Sequence, residues 1–342
     1  MKSAKCSKAV IAASFVAIAL LAAICWTSVA NWFAPPPQAK EKLTIAVVST
    51  YLGSGLLYVA AAEGYFAQEG LNVTLQPYIT GREAINAALY KRADLGVGAD
   101  IPVMFAAMKG VPVSIVATIF TANQTHGIVA RRDRGIGSVQ DIKGKRVGVA
   151  LGTDSHFVLS TMLARHRLAL SDVRIESLQP EAMEEALKSG KVDAVSTWEP
   201  GLTAASTALG VNGVEFRTPG RFMFDFNLAG RAEWVQANPE KIQRLLRALL
   251  RSKRFADENP QAARAIIVAA MKEDPGVFDT IGSNYRFVVQ LDQSLLIMLE
   301  DQARWAIEHK LTGGRTTMPN FFGMVAADAL TAVNHDAVTI VR

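Results

Sequence analysis

Residues 145–156 read KRVGVALGTDSH and residues 192–200 read VDAVSTWEP, and these two segments decide the fold. In the first segment, the short apolar run 147–151 is followed by Thr153-Asp154-Ser155, which are residue types that begin helices. The pattern predicts a strand, a tight loop and the start of a helix. A helix start presents unpaired backbone N–H groups and the positive end of the helix dipole, so we expect an anion to bind there.

The second segment completes another αβ unit. Residues 181–189 carry apolar side chains at helical spacing, Gly190 ends the predicted helix, and residues 192–196 predict a buried strand. Trp198-Glu199-Pro200 follow at the carboxyl end of that strand. In an open α/β sheet, ligands bind at this edge.

Residues 83–102 resemble residues 181–200 with one inserted residue. Each copy predicts a helix, a strand that begins near an aspartate, and then an acidic residue and a proline. Any two αβ units can look alike by chance, and that interpretation stays open. The alternative is an α/β protein of two similar lobes whose loops face each other across a cleft.

The composition excludes several classes of protein. The chain has 342 residues, enough for two domains, and a formal net charge of +5, but no run of Lys and Arg forms a stripe for nucleic acid. Cys6 and Cys25 both lie near the N-terminus, so the rest of the chain has no disulfide, thiol nucleophile or Cys metal ligand. No phosphate-binding loop, HExxH motif or metal-ligand cluster occurs, and we expect neither a cofactor nor a metal.

The N-terminus predicts export. Three lysines precede an uncharged run from Ala9 to Ala30, and Ser28-Val29-Ala30 offers the small residues that a signal peptidase recognises. The run is also long enough to span a bilayer, so residues 1–30 are either a signal peptide or a retained membrane anchor. In both cases the charges place the body of the protein in the periplasm or on the outer face of the cytoplasmic membrane.

The remaining chain predicts two lobes built from alternating strands and helices. Residues 31–42, with three prolines, predict an extended linker. Further elements are predicted from periodicity and turn residues: strands at 43–48, 71–75, 110–118 and 221–229, a helix at 56–66, and a helical pattern from 232 to about 309 with helix starts at Asn238-Pro239 and Asn259-Pro260. We assign residues 43–125 and 222–342 to lobe 1 and residues 126–221 to lobe 2, with the two crossings acting as a hinge.

Several of these segments together resemble a known family. They are Gly110-Val111-Pro112-Val113, Gly152-Thr153-x-Ser155-His156, Ser189 to Ala194, Trp198-Glu199-Pro200, Asn259-Pro260 and Asp336 to Ile340. Over residues 42–342 the chain resembles the periplasmic solute-binding proteins of the aliphatic sulfonate, nitrate and taurine type, which share the fold of thiamine-precursor pyrimidine receptors. The resemblance implies a type II periplasmic-binding-protein fold, in which each lobe is a mixed sheet flanked by helices. It also implies a monomeric receptor, not an enzyme, that delivers a small solute to an ABC permease and its ATPase.

The resemblance also implies a ligand pocket. Carried over by position, its residues are Thr50, Tyr51, Ser54, Arg82, Asp100, Gly152, Thr153, Ser155, His156, Trp198 and Glu199. Backbone donors and hydroxyls at 152–155 suit the oxygens of a sulfonate, Arg82 suits its charge, and Trp198 suits a short apolar tail. Each residue also has a simpler interpretation: a helix cap for Thr153 and Ser155, a solvated surface residue for Arg82, and packing for His156 and Trp198.

Two acidic residues complicate an anion site. Asp154 lies in the loop that should accept negative charge, and it would repel an oxyanion unless it points away or pairs with a cation. Glu199 could face the amine of a zwitterion such as taurine. Neither residue suits bare nitrate, so we expect an organic solute.

An enzyme on the same fold, a pyrimidine receptor and an anchored sensor compete with solute transport. A desulfinase related to this family uses a cysteine nucleophile, which the body of this chain lacks, and the adjacent residues 154–156 cannot align as a Ser-His-Asp triad. Pyrimidine-synthesising enzymes on the same fold are a further possibility. The remaining rivals are a receptor for a thiamine-precursor pyrimidine and an anchored sensor that would need a signalling partner.

Overall fold

The computed structural model describes residues 40–341 apart from 219–222, 273–275, 277 and 280–283. The predicted signal peptide or anchor at 1–30 and most of the predicted linker lie outside these residues. Residues 41–342 form one compact unit. Within the described residues, none of the helices combines the length and apolar character that a membrane crossing requires.

The first sheet has six strands and contains the first strand of the described chain. Its strands are β1 (Glu41–Val48), β2 (Leu71–Tyr78), β3 (Leu95–Ala99), β4 (Val113–Asn123), β10 (Met223–Arg231) and β11 (Tyr285–Gln290). Their order across the sheet is β11-β4-β10-β3-β1-β2, with β1 parallel to both β2 and β3 and with the other pairs antiparallel. All five residues of β3 are buried, as expected for a strand covered on both faces.

The second sheet has five strands from the middle of the chain. They are β5 (His126–Arg131), β6 (Arg146–Val149), β7 (Arg174–Ser177), β8 (Ala194–Trp198) and β9 (Gly213–Arg217). Their order is β7-β6-β8-β5-β9, with β6 parallel to β7 and β8, and β5 antiparallel to β8 and β9. Val147 aligns with Ala194 across β6 and β8, which fixes the register of the two segments quoted first.

Strands β3 and β8 occupy equivalent positions in the two sheets. Each lies between a parallel neighbour, β1 or β6, and an antiparallel neighbour, β10 or β5. The order β2-β1-β3-β10-β4 of the first sheet therefore matches β7-β6-β8-β5-β9 of the second. These two strands end the similar segments 83–102 and 181–200, so the topology favours internal similarity over chance.

Within the described residues, twelve α-helices connect and flank the strands. They are α1 (Gly55–Ala62), α2 (Tyr65–Gln68), α3 (Gly81–Leu89), α4 (Asp100–Met108), α5 (Asp154–Arg165), α6 (Met183–Lys188), α7 (Gly201–Leu209), α8 (Ala232–Ala237), α9 (Pro239–Glu258), α10 (Pro260–Met271), α11 (Gln293–Glu308) and α12 (Ala327–Val333). Helices α9 and α10 begin at Pro239 and Pro260, which confirms the two predicted helix starts. One large apolar cluster surrounds the first sheet and two smaller clusters cover the second.

The structure corrects two of the predicted elements. The helical pattern predicted from 232 to about 309 is interrupted by β11, whose Phe287 aligns with Phe120 of β4. The predicted helix 56–66 is split into α1 and α2 at Gly64, which has a left-handed backbone with φ of 69°. In both places a tertiary contact or a glycine conformation overrides the local pattern.

Two connections join the sheets. The first runs from β4 to β5, and the second from β9 to β10 through residues 219–222, which lie outside the described residues. The backbone N–H of Thr218 donates to the carbonyl of His126 at 3.0 Å, and Nη1 of Arg217 donates to the carbonyl of Gln124 at 3.0 Å. The crossings are therefore bonded to each other beside the space between the sheets.

Candidate functional site

A small cavity lies where loops and helix starts of the two sheets meet. Its volume is about 30 Å³, enough for a water molecule but not for a large solute. The cavity is lined by Val48, Tyr51, Thr80, Gly81, Arg82, Ala99, Pro102, Thr153, Asp154, Trp198 and Phe226. Arg82 is the only basic residue and Asp154 the only acidic residue in this described lining.

Arg82 is positioned by the first turn of α3. Thr80 caps this helix: its hydroxyl accepts from the N–H of Glu83, and the Glu83 carboxylate accepts from the N–H of Thr80. Nη1 of Arg82 donates to the carbonyl of Leu151 at 2.7 Å, which links the first sheet to the loop after β6. Gly152 follows with φ of 74°, a conformation that glycine adopts without strain.

The start of α5 forms the opposite wall of the cavity. Thr153 is the N-cap residue, but its hydroxyl donates to the carbonyl of Ala150 at 2.7 Å and makes no capping bond. The carboxylate of Asp154 is bonded to Nε2 of His126. The carboxylate of the acidic residue beside the expected anion site is therefore engaged by a side chain of the second sheet.

Aromatic side chains complete the cavity. Tyr51 packs against Phe226 with ring centroids 5.3 Å apart, and Trp198 is half-buried at the cavity wall. Burial, together with the charges of Asp154 and Glu199, raises the pKa of Tyr51 well above its usual value. Its phenol therefore stays neutral at physiological pH.

Glu199 is fully buried and its carboxylate already has partners. Its two oxygens accept from the N–H and hydroxyl of Thr203 at 3.0 and 2.9 Å, and Oε1 lies 2.7 Å from Nη2 of Arg217. The carboxylate thus has three partners within the described residues. We therefore interpret Glu199 as a structural residue at the connection between the sheets.

Two predicted residues that do not line the small cavity line a second, larger space. Gly152 and His156 face a groove of about 770 Å³ whose lining also includes Arg82. His156 packs edge-on against Trp305, with ring centroids 5.2 Å apart. Burial and the nearby His309 lower the pKa of His156 to about 4, so its ring is uncharged at neutral pH.

The remaining predicted residues touch neither space. The Thr50 hydroxyl donates to the carbonyl of Ile79 at 3.0 Å, and the Ser54 hydroxyl accepts from the N–H of Val48 at 3.0 Å. Asp100 is buried and accepts from Nδ2 of Asn227 at 2.5 Å. Ser155 is fully buried, and its Oγ has no hydrogen-bond partner among the described residues.

Buried carboxyls lie next to the predicted residue Asp100. Its pKa is raised well above the usual value, first by burial and then by the charge of Asp225. Burial and Asp292 raise the pKa of Asp225 to about 7. The described residues bring together no group of three or more His, Cys, Asp or Glu side chains that could hold a metal ion.

Sequence reasoning missed several lining residues. Asp154 was noted only as a complication, yet it contributes the one acidic side chain of the described lining. Thr80 and Phe226 were also missed, although Thr80 caps the helix that carries Arg82. The signal for Thr80 was the capping box Thr80-x-x-Glu83, but nothing local indicates that Phe226, from a distant strand, would reach the cavity.

The two helix-flanked sheets, with a cavity between them, define the two-lobed periplasmic-binding-protein fold. The family described as NMT1/THI5-like matches residues 54–263. The chain belongs to this family.

Several relatives by sequence are named as binding proteins, and one from Haemophilus influenzae is named as a thiamine biosynthesis protein. One from Brucella abortus is 25% identical over 268 residues, which cover 75% of this chain and 81% of that protein. One from Bacillus subtilis, named as an aliphatic sulfonates-binding protein, is 27% identical over 201 residues, 56% of this chain and 59% of that protein.

Solved structures confirm the fold. The periplasmic aliphatic sulphonate-binding protein of Escherichia coli has a TM-score of 0.70 at 18% identity, covering 84% of this chain and 98% of that one. The desulfurization enzyme DSZB has a TM-score of 0.65 at 16% identity, covering 86% and 99%. The same fold thus carries both binding proteins and an enzyme.

Proposed function

We propose that this protein is the extracytoplasmic substrate-binding component of an ABC importer and that it captures a small organic oxyanion between its two sheets. The observation that carries the proposal is the position of Arg82. Arg82 lines the cavity from the first sheet, and its guanidinium donates to the carbonyl of Leu151 on the side of the second. An oxyanion bound there would gain charge-assisted hydrogen bonds and would hold the two sheets together.

The rest of the lining suits an organic ligand better than an inorganic anion. Asp154 offers an acceptor for a ligand amine or N–H group, and this is the role that the sequence suggested for Glu199. Tyr51, Trp198 and Phe226 offer apolar faces. A zwitterion such as taurine, or a sulfonate with an apolar tail, matches this combination of one cation, one carboxylate and aromatic walls.

A binding role is also favoured over catalysis. Both cysteines lie within residues 1–39, so no thiol nucleophile is available in the described residues. Asp154 bonds to His126 and not to His156, while Ser155 Oγ and His156 Nδ1 have no partner among the described residues. A nucleophile, base and orienting acid in mutual contact, which hydrolysis of the serine type needs, are therefore not assembled from 154–156.

The aromatic walls support a second candidate, a receptor for a thiamine-precursor pyrimidine. Tyr51 and Trp198 could pack against a heteroaromatic ring, and Asp154 could accept from its N–H groups. In this case Arg82 would contact a substituent of the ring instead of a sulfonate. An anchored sensor remains an alternative use of either site.

Delivery of the solute requires an ABC permease and its ATPase as partners. It also places the described residues in the periplasm or at the outer face of the cytoplasmic membrane, with residues 1–30 as a signal peptide or an anchor. The ligand-bound protein would present both lobes to the permease as one closed unit.

A thermal-shift panel on the purified chain tests the proposal. The panel contains taurine, short and long alkanesulfonates, an aromatic sulfonate, nitrate and a thiamine-precursor pyrimidine. A ligand at 100 times its Kd adds about 2.7 kcal/mol to the free energy of unfolding and raises Tm by roughly a few degrees. Shifts with sulfonates or taurine support the oxyanion receptor, a shift with the pyrimidine alone supports the second candidate, and no shift with any organic ligand contradicts both.

A further inference from the structure

Helix α5 packs on the second sheet and also reaches the elements around the first. Its residues Val158, Leu159, Met162 and Leu163 belong to an apolar cluster of the second sheet. Phe157, in the same helix, instead belongs to the large apolar cluster around the first sheet. The helix therefore joins the two sheets through residues that lie outside the two crossings.

The side chain that receives α5 is Trp305, near the end of α11. The centroid of its ring lies 5.2 Å from that of Phe157 and 5.2 Å from that of His156, and both contacts are edge-on. Trp305 also packs edge-on against Phe105 of α4, at 6.2 Å. Edge-to-face ring pairs at these distances are attractive. Trp305 thus packs among the helices of the first sheet and contacts two rings of α5.

One hydrogen bond accompanies the ring contacts. Oγ of the buried Ser160 in α5 and Nε2 of the half-buried His309, which ends α11, are hydrogen-bonded at 3.2 Å. Two other ring nitrogens of this contact, Nδ1 of His156 and Nε1 of Trp305, are buried without a hydrogen-bond partner in the described part of the chain. Burial of an unpaired polar group is unfavourable, so separation of the two helices would return both nitrogens to water. The contact therefore combines attraction with a cost that opening relieves.

Charges around His156 oppose its protonation while the contact is closed. His309 acts on it from α11, and Arg82 and Lys109, from α3 and the end of α4, line the same groove. No Asp or Glu occurs in the described lining of that groove, and the carboxylate of Asp154, on the same helix, is already paired. Burial and His309 accordingly lower the pKa of His156 to about 4, whereas a solvated imidazole has a pKa of about 6.5. Protonation therefore favours an arrangement in which His156 is exposed.

We propose that α5 and α11 form a latch between the two sheets, and that protonation of His156 opens it and separates the walls of the cavity. The latch consists of His156 and Phe157 against Trp305, and of Ser160 against His309. Two-lobed proteins that close around a ligand exchange it when the lobes separate. The inference rests on the proposed function only for this use of opening, because the latch itself can be measured without a ligand.

Hydroxyl-radical footprinting of the full-length chain measures opening in the absence of any ligand. Oxidation of each residue is read by mass spectrometry at pH 7.5 and pH 5 and is normalised to Phe322, which is 45% exposed. Trp305 and Phe157 are each 7% exposed in the closed latch, so their oxidation reports the open form. Met104 of α4 is fully buried in the first sheet's core and reports global unfolding instead.

The two protonation equilibria of His156 set the expected response. A pKa of about 4 in the closed form and about 6.5 in the open form raises the ratio of open to closed protein about thirtyfold between pH 7.5 and pH 5. We therefore expect oxidation of Trp305 and Phe157 to rise at least about threefold at pH 5, while Met104 stays protected.

Removal of the titrating ring provides the second arm. His156→Phe keeps an aromatic ring against Trp305 but cannot be protonated, so the rise in oxidation at pH 5 should disappear. His335→Phe makes the same substitution at a histidine whose side chain is 83% exposed, and it should keep the wild-type response.

Removal of the hydrogen bond provides the third arm. Ser160→Ala takes away the partner of His309 and should raise oxidation of Trp305 at pH 7.5 by about twofold to tenfold, the equivalent of one net hydrogen bond. Ser206→Ala, at a half-buried serine of α7 beside the second sheet, is the matched control and should match wild type.

The outcomes separate this inference from the proposed function. Equal oxidation of Trp305 at both pH values, an equal rise at Met104, a pH response that persists in His156→Phe, or wild-type oxidation in Ser160→Ala would overturn the latch and leave the oxyanion receptor intact. Failure of every sulfonate to bind the wild-type chain would contradict the proposed function and leave the latch standing.

Discussion

The carboxylates of Asp154 and Glu199 differ in their surroundings, and this difference suggests different roles. Asp154 keeps part of its side chain exposed at the cavity and contacts His126, whereas Glu199 is fully buried between Thr203 and Arg217. A buried carboxylate with a cationic partner stabilises the folded chain only while the pair is complete. We therefore propose that Asp154 contacts the ligand and that Glu199 is a structural residue.

Glu199→Gln should therefore lower stability without changing ligand preference. Removing one partner of a buried ion pair costs about 3 kcal/mol. Urea denaturation would measure this loss. Glu215→Gln removes a half-buried partner of the same Arg217 and should cost less than about 1 kcal/mol. A stable Glu199→Gln variant that has lost selectivity for taurine over ethanesulfonate would return Glu199 to the ligand site.

Asp225 should make stability depend on pH. Its folded pKa is raised to about 7, above the value near 3.9 expected for an unfolded aspartate. Between about pH 4 and pH 7 the folded state keeps a proton that the unfolded state releases, so the contribution of Asp225 to stability falls as pH rises through this window. His156 acts in the opposite direction, because its lowered pKa makes stability fall as pH drops from about 6.5 to 4.

Comparison with Asp225→Asn removes the contribution of His156, which is present in both proteins, and reports on Asp225 together with Asp100, whose pKa the charge of Asp225 raises. The variant should be more stable than wild type by on the order of 4 kcal/mol at pH 8, and the difference should vanish near pH 4. Urea midpoints across this range would show it, with the fully exposed Asp336→Asn as control. If the urea midpoints of wild type and Asp225→Asn changed in parallel with pH, the raised pKa of Asp225 would be refuted.

Residue identities at the site were only partly predictable. Arg82 and Trp198 were predictable, because each lies beyond the carboxyl end of a predicted strand. Ligands bind at this edge of an open α/β sheet. The bond between Asp154 and His126 was not predictable, because it joins two elements that are adjacent only in the folded sheet. For the same reason the buried partners of Glu199 could not be read from its neighbours in sequence.

At the scale of elements, helix α3 lies unusually close to strand β3. A Cβ atom at Gly96 would collide with the carbonyl oxygen of Ala84, and one at Gly98 would lie 2.8 Å from the carbonyl oxygen of Gly81. The first turn of α3, which carries Arg82, thus depends on glycine in the strand beneath it. This close approach is one reason that Gly occurs twice in a five-residue buried strand.

Gly96→Ala should push α3 away from the sheet. Overpacking of this kind typically costs 1–3 kcal/mol, and the displaced Arg82 should also weaken ligand binding. Chemical denaturation and titration with butanesulfonate would measure the two effects. Gly137→Ala is the matched control, because a Cβ there would meet nothing closer than 3.9 Å. Wild-type stability in Gly96→Ala would show that the helix can shift at little cost.

Local signals predicted most elements but not all of them. The Asn-Pro pairs marked α9 and α10 correctly because proline is favoured in the first turn of a helix. Strand β11 was missed, since it is a short segment between helices and is stabilised by pairing with β4, more than 160 residues earlier in the chain. Pairing partners at such distances leave no mark on local periodicity.

In the whole molecule, the two sheets have equivalent strand orders, and this explains why the small cavity that contains Arg82 lies between them. The carboxyl ends of the parallel strands carry the starts of α3, α4 and α5, and these helix starts supply Arg82, Pro102 and Asp154 to the same space. The sequence indicated this arrangement through the similarity of 83–102 to 181–200. The sequence could not indicate that the cleft is divided into a small cavity and a wide groove. This division depends on how closely the elements of the two sheets approach each other.

The central claim, that an organic oxyanion binds at Arg82 between the sheets, is tested most directly by isothermal titration of butanesulfonate into three proteins. These are the wild-type chain, Arg82→Gln, and the control Arg92→Gln, which replaces an exposed arginine soon after the same helix. Loss of a charge-assisted hydrogen bond is worth about 1.5–3 kcal/mol, so Arg82→Gln should bind roughly tenfold to a hundredfold more weakly while Arg92→Gln matches wild type. Equal affinity in Arg82→Gln and wild type would contradict the account.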